Sequence, residues 1–67
     1  MKIIKTAILE NGNSVCRARD NYNHEWIFWL TDGEIDEPSG QDFVSDFQDY
    51  RYTHGGSEYR EAVEKLQ

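Results

Sequence analysis

Hydrophobic and polar residues follow one another along the first half of the chain in a pattern that predicts three β-strands. Residues 2–9 are rich in β-branched and apolar side chains, and residues 14–19 alternate small apolar residues with basic ones. Residues 25–31 carry large apolar side chains at both even and odd positions, which is typical of a central strand. The dipeptide Asn11–Gly12 separates the first two strands and predicts a type I′ hairpin turn, in which both residues have positive φ.

The second predicted strand presents two different faces, because successive side chains in a strand point to opposite sides. Val15, Arg17 and Arg19 lie on one face. Cys16 and Ala18 lie on the other. Since Cys16 and Ala18 are small and uncharged, we expect theirs to be the face that points into the core.

A helical period replaces the strand pattern after an acidic loop over residues 32–38. Ser39 is a suitable helix N-cap, and aromatic residues follow at the i, i+4 and i+7 positions of one helical face. Glycines at positions 55 and 56 would end this first helix. The aromatic residues that define its apolar face are Phe43, Phe47 and Tyr50.

A second helix is predicted to begin at Ser57, and the whole pattern defines one small domain. With only 67 residues, the chain has room for a single domain with a thin core. We predict an α+β fold over residues 1–67, in which a three-stranded antiparallel sheet (β-β-β) is followed by two short helices packed on one face. The apolar stripe of the second helix consists of Tyr59, Ala62, Val63 and Leu66.

Acidic residues are concentrated in the middle of the chain. The net charge is −6, with +2 carried by residues 1–20, −8 by residues 21–50 and zero by residues 51–67. The middle segment contains no Lys or Arg. A surface of this sign repels nucleic acid and anionic membranes and attracts basic protein surfaces. We therefore expect the partner to be the basic surface of a protein, with no direct contact to nucleic acid or to a membrane.

Acidic and aromatic side chains together make up the predicted partner-binding site. An exposed aromatic residue beside charged groups is a common composition for a binding hot spot. The alternative interpretation is a solvated acidic face that only keeps a small protein soluble. The predicted binding residues are Glu34, Asp36, Glu37, Asp42, Asp46, Asp49, Trp29, Tyr50 and Tyr52.

Nucleophilic and transition-metal chemistry have little support in the sequence. Cys16, His24 and His54 are the residues suited to either role, and no paired spacing joins them. A single cysteine cannot form an internal disulfide, whereas small secreted domains usually contain several. We therefore predict a cytoplasmic protein that is not an enzyme and has no cofactor and no metal. A small enzyme or metal sensor using Cys16 and the histidines is the least favoured hypothesis.

Asp32, Glu34 and Asp36 have the 1-3-5 spacing of the calcium ligands in an EF-hand loop. That loop needs glycine at its sixth position and a bidentate glutamate at its twelfth. Here these positions are Glu37 and Phe43, so the motif is incomplete.

No segment of the chain identifies a family, and the chain resembles known proteins in two limited respects. The segment 37–42, Glu-Pro-Ser-Gly-Gln-Asp, resembles a loop of the colicin nuclease immunity proteins, which are acidic inhibitors with an all-helical fold. In size and acidity the chain is similar to small phage-encoded inhibitors of host defence, including anti-CRISPR proteins and DNA mimics. This likeness of type implies an inhibitor that binds a nucleic-acid-binding protein, and it assigns no role to individual residues.

Two functional hypotheses from different classes remain open. In the first, the acidic loop and the first helix bind a basic protein and inhibit or regulate it. In the second, the chain is an interaction or scaffold module, or a homodimer, that uses the apolar surface of its sheet around Trp26 and Trp29 or an open strand edge. Dependence of binding on salt would favour the first hypothesis, because salt screens exposed charges.

Overall fold

A computed structural model describes residues 1–44 and 56–67 of the chain and confirms an α+β fold with an antiparallel sheet. The sheet begins with the three strands predicted from the sequence pattern. Two very short strands follow, and one helix lies near the C-terminus. The elements are β1 (Lys2–Ile8), β2 (Ser14–Arg19), β3 (Glu25–Thr31), β4 (Glu34–Ile35), β5 (Gln41–Asp42) and α1 (Ser57–Leu66).

Strands adjacent in sequence pair in antiparallel fashion, in the order β1-β2-β3-β4. The strand β5 also pairs with β3, so that β4 and β5 lie one after the other along the same edge of β3. Leu30 is opposite Ile35 in β4, and Trp26 is opposite Asp42 in β5. The predicted number of strands, three, was therefore too low, because a strand of two residues is too short to show a hydrophobic period in the sequence.

The turn between β1 and β2 differs from the predicted type I′ hairpin. Among the residues of this turn, only Gly12 has positive φ, at 91°. The Leu9 N–H donates to the Asn13 carbonyl, and the Gly12 N–H donates to the Leu9 carbonyl. These bonds define a three-residue loop that closes with glycine in the left-handed region. The positive-φ pair that characterises a type I′ turn is found at Asp32 and Gly33, between β3 and β4.

Both faces of the sheet are apolar, and the helix α1 covers one of them. Val15 and Ile27 are fully buried against α1, and the half-buried Trp29 packs against the same core. We call this side the helix face. The predicted second helix is confirmed, and its predicted stripe is buried in full: Tyr59, Ala62, Val63 and Leu66.

The prediction that Cys16 and Ala18 lie on the inward face is only half right. Both side chains are fully buried, but they pack with Phe28 in a second cluster on the side of the sheet away from α1. Val15, on the face that was expected to point outward, is buried under the helix. The reason is that β3 has large apolar side chains on both sides, so each face of β2 has apolar partners.

The predicted start of the first helix at Ser39 is wrong. Residues 37–39 form a single turn of 3-10 helix, and Gln41 and Asp42 extend into β5. The Phe43 N–H donates to the Glu25 carbonyl, which keeps the chain beside β3 after Asp42. The remainder of that predicted helix, with Phe47 and Tyr50, lies outside the described residues.

Gly40 makes a close contact that allows the 3-10 turn to pack on the sheet. A Cβ atom added at this position would lie 2.5 Å from the ring of Phe28, although the backbone angles suit any residue. We expect Gly40→Ala to lower the free energy of unfolding by about 1–3 kcal/mol through overpacking. Urea unfolding of Gly40→Ala alone and combined with Phe28→Leu tests this. The double variant should regain part of the loss relative to Phe28→Leu, and strict additivity of the two changes would contradict a steric cause.

Candidate protein-binding surface

Four of the predicted binding residues are exposed along one edge of the sheet. Because β4 pairs with one end of β3 and β5 with the other, the segment 34–42 follows that edge for about 13 Å, the length of four strand residues. We call its acidic side chains the acidic flank. They are Glu34, Asp36, Glu37 and Asp42.

Within residues 1–44 and 56–67, no ion pair involves Glu34, Asp36 or Glu37. Asp42 contacts His24, with 2.7 Å between Oδ1 and Nε2. Several basic side chains are engaged elsewhere. Arg17 binds Glu25, Lys65 binds Glu61 and the Ile8 carbonyl, and Lys5 binds the Gln67 carbonyl. The carboxylates of Glu34, Asp36 and Glu37 are therefore exposed without an ion pair to any described residue.

The Trp29 side chain lies on the helix face and not among the carboxylates of the acidic flank, although Trp29 is predicted to share their site and its backbone carbonyl accepts the Asp36 N–H at 3.0 Å. It is half-buried on the helix face, where its indole N–H donates to Glu58 Oε1 at 2.6 Å. The Asn13 amide donates to the same oxygen at 3.0 Å. These two hydrogen bonds, that of Asn13 first, lower the pKa of Glu58. The Trp29 side chain thus links the start of α1 to the sheet by a hydrogen bond. The other predicted binding residues, Asp46, Asp49, Tyr50 and Tyr52, lie outside the described residues.

A corner of the sheet that the sequence interpretation missed brings acidic and aromatic side chains together. Trp26 donates its indole N–H to Asp20 Oδ2 at 3.0 Å. The His24 ring meets the Trp26 ring edge to face, with 4.7 Å between their centroids, and its Nε2 contacts Asp42. We call Asp20, His24, Trp26 and Asp42 the corner cluster. Its members come from the β2–β3 turn, β3 and β5, so the cluster depends on strand register.

The β2–β3 turn that carries this corner is fixed by Asp20. Its Oδ1 accepts the backbone N–H groups of Tyr22 and His24 at 2.8 and 2.9 Å. Asn23 closes the turn in the left-handed region, which asparagine tolerates well. The Tyr22 side chain is left 91% exposed at the tip. Among the Phe, Trp and Tyr side chains in residues 1–44 and 56–67, Tyr22 is the one that is largely exposed.

Hydrogen bonding makes the contribution of Asp20 to stability dependent on pH. The bond from the Trp26 indole, and then the backbone bond from His24, lower the pKa of Asp20. A lowered folded-state pKa means that the stabilisation is present above the ordinary carboxyl value of about 4 and is lost as the pH falls through the folded-state pKa. We expect Asp20→Asn to be less stable than the wild type at neutral pH and to approach it in acid. Urea unfolding of both proteins at neutral and acidic pH measures this, and a stability difference that is independent of pH would contradict it.

Asp42 is held in place from the helix side as well as from β3. The Tyr59 hydroxyl donates to the Asp42 backbone carbonyl and accepts the Val44 N–H at 3.3 Å. Because Tyr59 is buried in α1, this contact links β5 to the core. The Asp42 carboxylate is consequently presented from a fixed backbone, although its side chain is 55% exposed.

Comparisons with known proteins assign no family to the chain. No family model, no curated protein and no solved structure matches it. Function is therefore inferred from the surface itself.

In the part of the chain that the structure describes, few features point to a metal site, a reactive cysteine or a membrane-spanning helix. No three His, Cys, Asp or Glu side chains in this part are arranged to hold a metal ion. Cys16 is buried beneath the sheet surface, and burial raises the pKa of its thiol, so it is protonated at neutral pH. None of the described helices is both long and apolar enough to cross a membrane. The features that remain are the acidic flank and the corner cluster.

Proposed function

We propose that this chain is a non-enzymatic protein that binds the basic surface of another protein and thereby inhibits or regulates it. The observation that supports the proposal is the exposure of Glu34, Asp36 and Glu37 along one sheet edge, without an ion pair to any described residue. A mixture of charges would serve solubility equally well. A sheet edge whose charged side chains are all negative favours a partner with a positively charged surface.

Electrostatics gives this flank a definite physical role. Like charges grouped on one side of a small protein create a field that draws a basic surface toward that side and raises the association rate. The carboxylates follow an edge about 13 Å long, and a row of anionic groups of this kind can occupy a groove that normally binds phosphates. We therefore infer that the partner belongs to the nucleic-acid-binding proteins, as it does for the DNA mimics and anti-CRISPR proteins that the chain resembles in size and charge.

Reversing charge on the flank is the test of this proposal. Capture from a bacterial lysate at low salt would supply a candidate partner, and the dissociation constant would then be measured with purified proteins. We expect Glu34→Lys with Glu37→Lys to weaken binding at least tenfold, or about 1.4 kcal/mol. Both side chains are exposed and form no ion pair with a described residue, so the fold should be unaffected.

A matched control carries the same change of net charge at a distance from the flank. Glu10 and Glu64 are also exposed, at the β1–β2 turn and on α1. Glu10→Lys with Glu64→Lys should change the dissociation constant much less than the flank variant. If the two double variants weakened binding equally, net charge and not the flank would be responsible, and the proposed binding surface would be wrong.

A homodimer formed through the sheet edge is the second candidate function. The strand β1 is an edge of the described sheet, and its apolar Ile4 and Ile8 are 41% and 66% exposed. Exposed apolar strands at an edge favour pairing with another chain. The Lys65 ammonium opposes this pairing, since it already binds the Ile8 carbonyl at 2.9 Å. Light scattering decides between the candidates, because a dimer that persists in high salt would favour the sheet edge.

A further inference from the structure

The sheet face away from α1 carries a row of four directly opposed residues that ends in a carboxylate. Ile3 pairs with Ala18, Ala18 with Trp26, and Trp26 with Asp42. Directly opposed residues in antiparallel strands point to the same face, and neighbouring strands are about 4.8 Å apart. The row therefore has an apolar part about 10 Å long, with a negative charge one strand spacing beyond the indole.

Part of this row is open to solvent. Ile3 is 43% exposed, and Trp26 is half-buried. Ala18, between them, is fully buried. No helix among the described residues packs on this face, because α1 lies against Val15 and Ile27 on the other side.

We propose that the Trp26–Asp42 end of this row is the docking point for an arginine side chain on the basic partner. This inference rests on the proposed function and specifies where the lasting contact is made. The occupant follows from charge complementarity, since two carboxylates border Trp26: Asp42 lies opposite it in β5, and Asp20 accepts its indole N–H. An apolar partner would leave both carboxylates facing an uncharged surface.

Arginine fits this arrangement better than lysine does. Its planar guanidinium stacks on aromatic rings while it donates to a carboxylate, whereas the lysine ammonium is a compact, strongly hydrated charge. Trp26 and Asp42 are one strand spacing apart. The aliphatic stem would lie on the part of the indole that His24 and Phe28 leave exposed, while the guanidinium reaches the carboxylate. Asp42 has one oxygen bound to His24, which leaves its second oxygen available in the described structure.

Fixed geometry lowers the cost of binding at this point. The indole of Trp26 is held by Asp20 and by stacking on Phe28, with ring centroids 6.1 Å apart. The Asp42 backbone is held by Tyr59. Groups that are already ordered lose little conformational entropy when a ligand arrives.

The two tryptophans make the test direct, because each gives its own indole N–H signal in a nitrogen-15 correlation spectrum. Trp26 lies at the proposed docking point, and Trp29 lies on the helix face as an internal control. The full chain would be titrated at low salt with a blocked tetra-arginine peptide and, separately, with tetra-lysine. We expect saturable shifts of the Trp26 indole and the Ala18 amide with tetra-arginine, a several-fold weaker response to tetra-lysine, and no shift of the Trp29 indole.

A variant of Asp42 completes the test. Asp42→Asn keeps the shape of the side chain and should weaken the tetra-arginine response at Trp26 several-fold. Asp32→Asn, which removes the same charge from an exposed turn, should leave that response nearly unchanged.

The outcomes separate this inference from the proposed function. Shifts confined to residues 34–37, with Trp26 unmoved, would overturn the docking point and leave the acidic flank as a binding surface. Equal responses to the two peptides would overturn stacking by arginine. Trp26 signals that depend on protein concentration without peptide would identify a second copy as the occupant and would also overturn the inference. An absence of shifts both at residues 34–37 and at Trp26 would contradict the flank and the docking point together.

Discussion

Replacing Ile27 with alanine should lower the free energy of unfolding by about 3–4 kcal/mol. Ile27 is fully buried at the centre of β3 and belongs to the core that α1 covers. Truncation removes apolar contacts and leaves a cavity that the sheet backbone cannot easily close. A 67-residue domain has a total stability of only about 3–10 kcal/mol, so the variant should be partly unfolded at physiological temperature.

Urea denaturation followed by tryptophan fluorescence measures this loss. Ile3→Ala is the matched control, because it removes the same atoms from a residue that is 43% exposed on β1. The control should cost about 1 kcal/mol or less. Equal losses for the two variants would contradict the assignment of the main core to the interface between β3 and α1.

Arg17→Ala should be the second most damaging change, with an expected loss of about 2–3 kcal/mol. Its guanidinium donates to both Glu25 carboxylate oxygens at 2.6–2.9 Å and to the Leu66 carbonyl at 3.2 Å. The same group lies over the Phe43 ring, 4.2 Å from its centroid. Both charged side chains are largely buried, with 25% and 19% exposure, so removal of the arginine leaves Glu25 without its main partner.

Two further variants show which property of Arg17 matters. Arg17→Lys keeps the charge but loses the paired hydrogen bonds, so it should recover only part of the stability. Arg19→Ala removes an exposed cation 3.8 Å from Glu25 and should cost no more than about 0.5 kcal/mol. Thermal unfolding of the three variants gives the order. Equal stability of Arg17→Lys and the wild type would show that charge alone, without the fork of hydrogen bonds, is sufficient.

The parts of the fold that the sequence predicts are those with a clear local period. The three long strands and α1 each carry an apolar pattern with the right repeat, and each was found at its predicted position. The prediction that the first helix begins at Ser39 was wrong, because the residues from Ser39 to Phe43 also fit a 3-10 turn followed by a short strand. The chain at Gln41 and Asp42 pairs with β3, and this pairing depends on partners about fifteen residues away in sequence. An N-cap residue and an aromatic residue at helical spacing carry no information about a strand partner so far away in sequence.

The acidic flank was partly predictable from the sequence. The absence of Lys and Arg from residues 21–50 indicated an acidic surface, but only the pairing of β4 and β5 with β3 places Glu34 and Asp42 along one edge. The corner cluster was missed because its members meet across strands. Its one local signal was the alternation of His24, Trp26 and Phe28, which brings the ring of the residue just before β3 to the same side as two rings of that strand.

The dependence of partner affinity on salt tests the acidic flank most directly. The dissociation constant of the purified complex would be measured over a range of salt concentrations for the wild type, for Glu34→Lys with Glu37→Lys, and for Glu10→Lys with Glu64→Lys. Salt should weaken wild-type binding steeply, because it screens exposed charges. The distal variant should keep nearly the same slope, and the flank variant should show a much shallower one. The same slope for all three proteins would contradict binding through the flank.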